Sequence, residues 1–398
     1  MTPSLRQLRV FLAVLDEGTV TAAARRCNIS QPAASQTLAR LATEAGVALL
    51  QASRDGQGPT EAGTIYAARV RRALRRLDAA LAAVAPRLVL TATRAQLQAL
   101  VAVRDAESFT LAAQRLGLAQ PTVHRAVSLL ESEAGRPLFR RIGKRLQPER
   151  PANLMADAAL LCFTELDQAA ADLAELGGRE AGRIVVGAMP LSRSTVLPQA
   201  IAEFRALRPT LPVRVMDGPY EDLLAGLRRG EIDLLIGALR DPLPVEDVAQ
   251  EELFSDDLVL VARPGHPLAG QGAPSLHAVA RYPWVVPNPG TPARAQFDRA
   301  LDGLGEGERP ALIECSSVLL MRELLIRTDH IGCTSRMQAS AEIALGAIRA
   351  LALRLPHSAR AIGLTTRRDW LPTAAQGQFV DILRTVGGAV GGRPFEGP

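Results

Sequence analysis

The sequence predicts a multidomain chain in which two small all-α modules, each followed by a linker helix, precede a larger α/β domain. Three observations predict it. Sliding the chain against itself lays Gln31-Pro32 on Gln120-Pro121, an offset of 89 residues, and Leu8, Thr21, Ala23, Ala24, Arg26, Leu41, Gly46 and Leu49 recur as Leu97, Thr110, Ala112, Ala113, Arg115, Leu130, Gly135 and Leu138. A repeat of that length is a whole small domain, copied, rather than one unit of a solenoid. Each copy leads into a long amphipathic stretch, and beyond Gly177-Gly178 short apolar runs alternate with helical ones.

With 398 residues, 47% hydrophobic and 22% charged, the chain is expected to fold into two to four globular domains. No apolar run reaches the roughly 18 residues of a membrane span. Thr2-Pro3-Ser4 passes directly into an amphipathic pattern without the basic and apolar regions of an export signal. A cytoplasmic protein with no membrane partner is the expectation. Cys27, Cys162, Cys315 and Cys333 form no C-x-x-C pair, which argues against a zinc site or a disulfide framework; no metal and no cofactor are expected. Buried reduced thiols are the plain reading, and a redox pair of Cys315 with Cys333 is the alternative. Residues 1–150 carry 22 Lys+Arg against 11 Asp+Glu, whereas 151–398 carry 24 against 30. A basic front suits a polyanionic partner.

In chain order, 4–15 reads as a helix with Leu5, Leu8, Phe11, Leu12 and Leu15 on one face, ended by Asp16-Glu17-Gly18. Thr19 or Thr21 caps the next helix, whose Ala22-Ala23-Ala24 run allows a second helix to cross closely. Asn28-Ile29-Ser30 is the turn, with Ser30 as N-cap and Pro32 in the first turn of a third helix. That helix runs to about Glu44, with Gly46 closing it. It is expected to turn Gln31, Ala33, Ala34, Gln36 and Arg40 outward and Leu38 and Leu41 inward. Such a pair builds a major-groove reader, since Gln pairs with adenine, Arg pairs with guanine and small side chains permit approach. Ala-rich helix pairs also occur in many other all-α domains.

From Leu5 to Gly63 the chain resembles the N-terminal winged helix-turn-helix of LysR-type transcriptional regulators. The matches are Ala23-Ala24, Ser30-Gln31-Pro32-Ala33, Ser35-Gln36 and, for the Leu-Thr-x-x-Gly wing, Thr60-Glu61-Ala62-Gly63. Leu50 and Ala52 stand where the family has Phe and Arg. In the second copy Gly135-Arg136-Pro137-Leu138-Phe139-Arg140-Arg141 fits well, whereas His124-Arg125 replace Ser-Gln and Leu146-Gln147-Pro148 has no Thr. The resemblance implies double-stranded promoter DNA as partner. It assigns the contacts to Thr21, Ser30, Gln31, Pro32, Ala33, Ser35, Gln36 and Arg40, and in the second copy to Gln120, Thr122, His124, Arg125, Arg140, Arg141 and Lys144.

Residues 60–85 carry Ile65, Tyr66, Val70, Ala73, Leu74, Leu77, Leu81 and Val84 on one stripe, and 152–176 carry Leu154, Leu161, Leu166, Ala169, Ala170, Leu173 and Leu176. Such stripes need a partner: in this family, the same helix of another subunit in a dimer or tetramer; otherwise, a helix of the same chain.

The runs 183–187, 213–216 and 234–237 read as buried parallel strands, with helices at about 195–207 and 220–229 between them. Leu258–Ala262, Trp284-Val285-Val286, a helix Ser317–Arg327, Ile331-Gly332-Cys333, a strand near 361–364 and a helix at about 373–386 follow, with a loose tail from Gly387. This resembles the family's two-lobed effector domain, which has the fold of type 2 periplasmic binding proteins, with crossovers near 262 and 335–350. The expected division is 1–59 first winged module, 60–88 first linker, 89–150 second module, 151–178 second linker and 179–390 effector domain, its lobes being 179–262 plus 345–390 and 263–344.

In an open α/β sheet ligands bind beyond the carboxyl ends of strands, against helix starts. Three loops qualify, offering Leu191, Ser192, Arg193, Ser194 and Thr195, then Asn288 and Thr291, then Ser316 and Ser317. Hydroxyls and a cation there suit a carboxylate or a hydroxylated ligand such as a sugar, although each Ser or Thr is also an ordinary N-cap; the resemblance of 186–191 to one subgroup of the family implies a sugar or an aromatic acid as effector. Catalysis is not expected: five histidines are scattered, and no P-loop, nucleophile elbow or zinc-protease spacing occurs. A solute-binding protein would share the last fold but would need an export signal and no basic modules.

Overall fold

The first helix, α1 (Leu5–Glu17), starts on a reciprocal cap: Ser4 Oγ accepts from the Gln7 amide at 3.2 Å and Gln7 Oε1 accepts from the Ser4 amide at 2.7 Å. It ends at Gly18, whose φ of 72° favours glycine. The computed structural model describes residues 3–53, 56–143, 145–270, 272–302, 304–305 and 309–391. The chain falls into two compact units, one made of the chain up to Gly182 together with Arg229–Glu231 and the other of the rest. No helix of the described residues is long and apolar enough to cross a membrane.

In the first unit α2 (Val20–Arg26), capped by Thr19, and α3 (Gln31–Ala45), capped by Ser30, cross α1 over buried Ala23, Ala24 and Ala34. Ala34 therefore faces inward rather than outward, because it shares the face of Leu38 and Leu41, four and seven residues on. The hairpin β1 (Leu50–Ser53) and β2 (Gly56–Pro59) leads into α4 (Glu61–Val84). Thr60 caps α4 and Gly63 lies in its first turn, so Thr60–Gly63, expected in a wing, begins the long helix instead and follows the hairpin. A Cβ at Gly63 would sit 1.9 Å from the Leu49 carbonyl oxygen, which is why glycine stands there.

After the single turn α5 (Leu88–Thr91), the succession recurs as α6 (Arg94–Ala106), α7 (Phe109–Leu116), α8 (Gln120–Ala134), the hairpin β3 (Phe139–Ile142) and β4 (Arg145–Pro148), and α9 (Arg150–Leu176). Individual bonds recur at the same offset. Thr93 and Gln96 repeat the reciprocal cap of Ser4 and Gln7. The Gln57 amide donates to the Gly18 carbonyl at 2.7 Å and the Leu146 amide to that of Glu107 at 2.9 Å; Thr60 donates to Leu49 at 3.1 Å and Glu149 to Leu138 at 2.9 Å.

The stripes on the long helices cover each other inside the chain. Tyr66, Val70, Ala73, Leu77 and Leu81 of α4 share one core with Met155, Ala159, Cys162, Leu166 and Ala169 of α9. Arg69 meets Glu165, Gln168 and Asp172, while Arg72, one turn further on, meets Glu165, so the helices run antiparallel. Within this chain the covering partner of α4 is α9. Leu154 and Leu176, placed on the stripe by spacing, lie at the ends of α9 and are exposed.

The second unit runs β5 (Ile184–Ala188), a 3₁₀ turn (Pro190–Arg193), α10 (Val196–Leu207), β6 (Val213–Met216), α11 (Tyr220–Arg229), β7 (Leu234–Ala238), β8 (Val248–Asp256), β9 (Leu258–Ala262), α12 (Leu276–Ala280), β10 (Trp284–Val286), α13 (Pro292–Ala300), β11 (Leu312–Glu314), α14 (Val318–Arg327), β12 (Ile331–Ser335), α15 (Arg336–Ala344), β13 (Arg349–Ala350), β14 (Arg360–Arg367) and α16 (Ala374–Gly391). Two five-stranded sheets result, ordered β6-β5-β7-β14-β8 and β11-β10-β12-β9-β13, each with apolar clusters on both faces. The chain leaves the first sheet at Asp257, not near 262, because β9 pairs with β12 and β13 of the second sheet. It returns between β13 and β14, beyond the expected 335–350, because β13 still pairs with β9. Strand β6 is an edge rather than a buried strand, with Arg214 and Val215 exposed. Helix α16 continues past Gly387 to Gly391; the rest of the expected loose tail, 392–398, lies outside the described residues.

Candidate nucleic-acid interface and ligand cavity

Close crossing of three helices over alanines leaves the outer face of α3 to polar side chains. Ser30 Oγ accepts from the Ala33 amide at 3.4 Å, and Pro32, lacking an amide hydrogen, occupies the first turn where none is needed. Thr21 on α2, Ser30 in the turn, and Gln31, Pro32, Ala33, Ser35, Gln36 and Arg40 on α3 are all exposed. Gln31 Nε2 donates to Ser35 Oγ at 3.2 Å, which orients the amide along the helix. This surface combines amide, hydroxyl and guanidinium groups with small side chains, the chemistry a base edge requires.

Helix α8 is built on the same plan with different ends. Ala119 replaces the capping serine and supplies no side-chain bond. Gln120, Thr122, His124 and Arg125 are exposed. The His124 ring packs on Phe109 at 4.9 Å and its Nδ1 lies 3.4 Å from Ser128 Oγ. Arg140 is held along the hairpin by Glu149 at 3.3 Å and Gln147 at 3.2 Å, while Arg141 is exposed. Lys144 lies outside the described residues. Sequence reasoning passed over Arg25, Arg136 and Arg145, which are also exposed in the two modules; the excess of cations in residues 1–150 was the signal that could have found them.

In the second unit a cavity of about 830 Å³ opens where the two sheets present the carboxyl ends of β5, β10 and β11. Of the expected residues it is lined by Leu191, Arg193, Asn288, Thr291, Ser316 and Ser317. Ser192, Ser194 and Thr195 do not line it: Ser192 is buried with Oγ donating to the Met189 carbonyl at 2.8 Å, and the other two sit where the 3₁₀ turn gives way to α10. Thr291 and Ser317 both line the cavity and cap helices, accepting from the Arg294 and Leu320 amides at 3.2 and 3.3 Å.

The tertiary fold adds Tyr220, Arg240, Gln338 and Arg360, which no loop motif singles out. Arg240 lies over the Tyr220 ring at 4.3 Å, and burial pushes its guanidinium below the usual range. Arg193 pairs with Asp217 at 2.8 Å. Arg360 pairs with buried Asp256 at 2.9 Å, and Asp256 also accepts from Ser335 Oγ at 2.6 Å and from the Met337 amide at 3.1 Å. That knot ties β8, β12 and β14 together beside the crossover at Asp257. The buried Nε atoms of Arg240 and Arg360 make no hydrogen bond to another described residue. A cavity with guanidinium donors, hydroxyls and an aromatic ring suits a small anionic or hydroxylated organic molecule.

Cys315 and Cys333 both reach this cavity as free thiols, not joined in a disulfide. Cys333 is fully buried and its thiol is pushed up to about 12 by that burial, far from the reactive thiolate. Among the described residues no three His, Cys, Asp or Glu side chains gather as a metal site.

Residues 5–64 and 95–149 match the family described as bacterial regulatory helix-turn-helix protein, lysR family, and residues 177–388 match the LysR substrate binding domain. The chain is similar to the HTH-type transcriptional regulator GalR of Pseudomonas putida, 32% identical over 392 residues that cover 96% of this chain and 97% of the relative. It is 28% identical to the HTH-type transcriptional regulator PcaQ of Agrobacterium fabrum over 292 residues, 73% of this chain and 94% of that one. In fold it resembles full-length OxyR from Pseudomonas aeruginosa (TM-score 0.53, 21% identity, 74% of this chain and 94% of the other). It also resembles CbnR complexed with its target DNA (TM-score 0.52, 17% identity, 74% and 99%).

Proposed function

We propose, since the chain belongs to the LysR family of DNA-binding transcriptional regulators, a division of labour between its parts. Residues 1–59 and 89–150 act as two winged helix-turn-helix modules on promoter DNA, with linkers at 60–88 and 151–178. The domain beyond Gly178 holds a small effector in its cavity. The observation that carries the duplication is the return of the same caps and cross-bonds 89 residues on, from Gln57–Gly18 to Leu146–Glu107. The first module reads bases through Gln31, Gln36 and Arg40, where Ala33 and Ser35 permit close approach. The second adds phosphate contacts: residues 89–150 hold ten cations against five acids, whereas 1–59 hold six against four.

The effector is a small acid, an aromatic acid ahead of a sugar, because half-buried Arg240 lies over the Tyr220 ring with a buried Nε that makes no hydrogen bond to another described residue. Homo-oligomers, dimer or tetramer, and a cytoplasmic location complete the proposal; no catalytic role is part of it. A redox role for Cys315 and Cys333 is disfavoured by the buried, protonated Cys333.

A gel-shift titration on the upstream region of the protein's own operon, repeated at rising salt, tests the DNA half. Saturable binding that weakens steeply with salt is expected, and absent or salt-insensitive binding would overturn it. Melting scans against aromatic acids and sugars test the effector half, since a ligand of the native state raises the midpoint.

A further inference from the structure

The contact between α4 and α9 is specific for unlike helices. Arg69 is 1% exposed and donates to Asp172 at 2.8 Å, to Gln168 at 2.9 Å and to Glu165 at 3.3 Å; Arg72 donates to Glu165 at 2.9 Å. Such burial is tolerated only because each charge meets its opposite. At the 89-residue offset, the α4 positions corresponding to Glu165, Gln168 and Asp172 are Arg76, Ala79 and Ala83, and the α9 positions corresponding to Arg69 and Arg72 are Ala158 and Leu161. If α4 paired with another α4 in this geometry, Arg69 and Arg72 would face Arg76 and two alanines. If α9 paired with another α9, the buried Glu165 would face apolar side chains. Both like pairings bury charge without a partner, so the sequence selects α4 against α9.

Helix α4 also leads through only nine residues, 85–93, into the second module, which places both partners in one chain without a long connection. With 24 residues, α4 is about 36 Å long, close to one turn of B-DNA. The two modules stand at opposite ends of this antiparallel pair, since α4 begins at the first hairpin and α9 at the second.

We propose that one chain is a complete two-headed DNA reader, whose α3 and α8 address two half-sites of unlike sequence without a linker helix from a second copy. This rests on the reading of both modules as DNA-binding.

The test has two arms. Spin labels at Ala82→Cys and Asn153→Cys, in a Cys27→Ser/Cys315→Ser background, report the separation of the helices by pulsed dipolar spectroscopy. Dilution with ten parts of unlabelled chain, refolded together, should leave the short distance and its modulation depth unchanged. A modulation that falls with dilution places α4 and α9 in different chains and overturns the proposal. In the second arm the unmodified full chain selects duplexes from a random pool. Unlike half-sites at a fixed spacing are expected, and replacing either with a copy of the other should weaken binding about ten-fold or more. Identical half-sites, or no loss on replacement, would overturn the proposal. Enrichment of no duplex would sink the regulator reading as well, whereas loss of modulation on dilution sinks this proposal alone.

Discussion

Arg69 on α4 and Asp172 on α9 are joined by a 2.8 Å hydrogen bond from the guanidinium Nε, with Arg69 almost wholly out of contact with solvent. Removing the cation takes this partner from Asp172 and leaves the buried Glu165 to Arg72 in the helix interface. Arg69→Ala is therefore expected to cost about 3–5 kcal/mol, read as a fall in the urea midpoint followed by circular dichroism. Arg71→Ala breaks only the exposed bridge to Asp16 and should cost less than about 1 kcal/mol. Equal effects would show that the buried network does not stabilise the pair.

Gly63 and Ala152 occupy equivalent places at the starts of α4 and α9 with different room. A methyl group at Gly63 would meet the Leu49 carbonyl oxygen at 1.9 Å, whereas the second copy accommodates Ala152 in its core. Gly63→Ala is expected to lower stability by about 2 kcal/mol or more, because backbone must move, while Ala152→Gly should cost about 1 kcal/mol. Thermal midpoints compare the two, and a neutral Gly63→Ala would refute the steric account.

Gln36→Ala is expected to lower discrimination at one base position by about 1–3 kcal/mol with little change in the salt slope. Arg125→Ala should weaken binding across all sequences and reduce the salt slope by about 1. Competition gel shifts at several salt concentrations separate the two. A larger loss of discrimination from Arg125→Ala would reverse the assignment of roles.

Thiol chemistry reports on the cavity. Burial pushes the Cys162 and Cys333 thiols up to about 12, so both stay protonated at pH 8 and gain reactivity only as the pH rises toward that value. Partly exposed Cys315, at the cavity wall, is expected to react with a maleimide at pH 8 while Cys162 and Cys333 react only after unfolding. A bound effector should slow Cys315. Peptide mass mapping after timed labelling checks this, and rapid native labelling of Cys333 would contradict the burial.

Arg240 carries the expectation for an acidic effector. Arg240→Leu should abolish most of the rise in melting midpoint that a bound acid gives the native chain, since that rise follows the occupancy of the native state. An undiminished rise would move the anion contact elsewhere in the cavity.

Much of this architecture was legible along the chain because it rests on local rules. Thr19 and Ser30 cap helices, Gly18 and Gly46 end them, and the helix and strand periods of the two kinds of domain differ. The three loops expected from a strand's carboxyl end followed by a helix start, a local pattern, all contribute to the cavity wall. Strand β8 was not read: its Val248–Asp256 run alternates with charges, and only pairing with β14 makes it a strand.

By itself, then, the sequence determined the repeat, its caps, the basic front and the alternating α/β back, because spacing and hydrogen-bond chemistry over a few residues decide such features. Only the tertiary structure decided that α9 covers α4, that Ala34 faces inward, that β9 belongs to the second sheet, and that Tyr220, Arg240 and Arg360 meet at one cavity. Those outcomes depend on residues far apart in the chain. An amphipathic stripe states that a partner is needed, and only the opposing charges of Arg69, Glu165 and Asp172 in three dimensions say which partner it is.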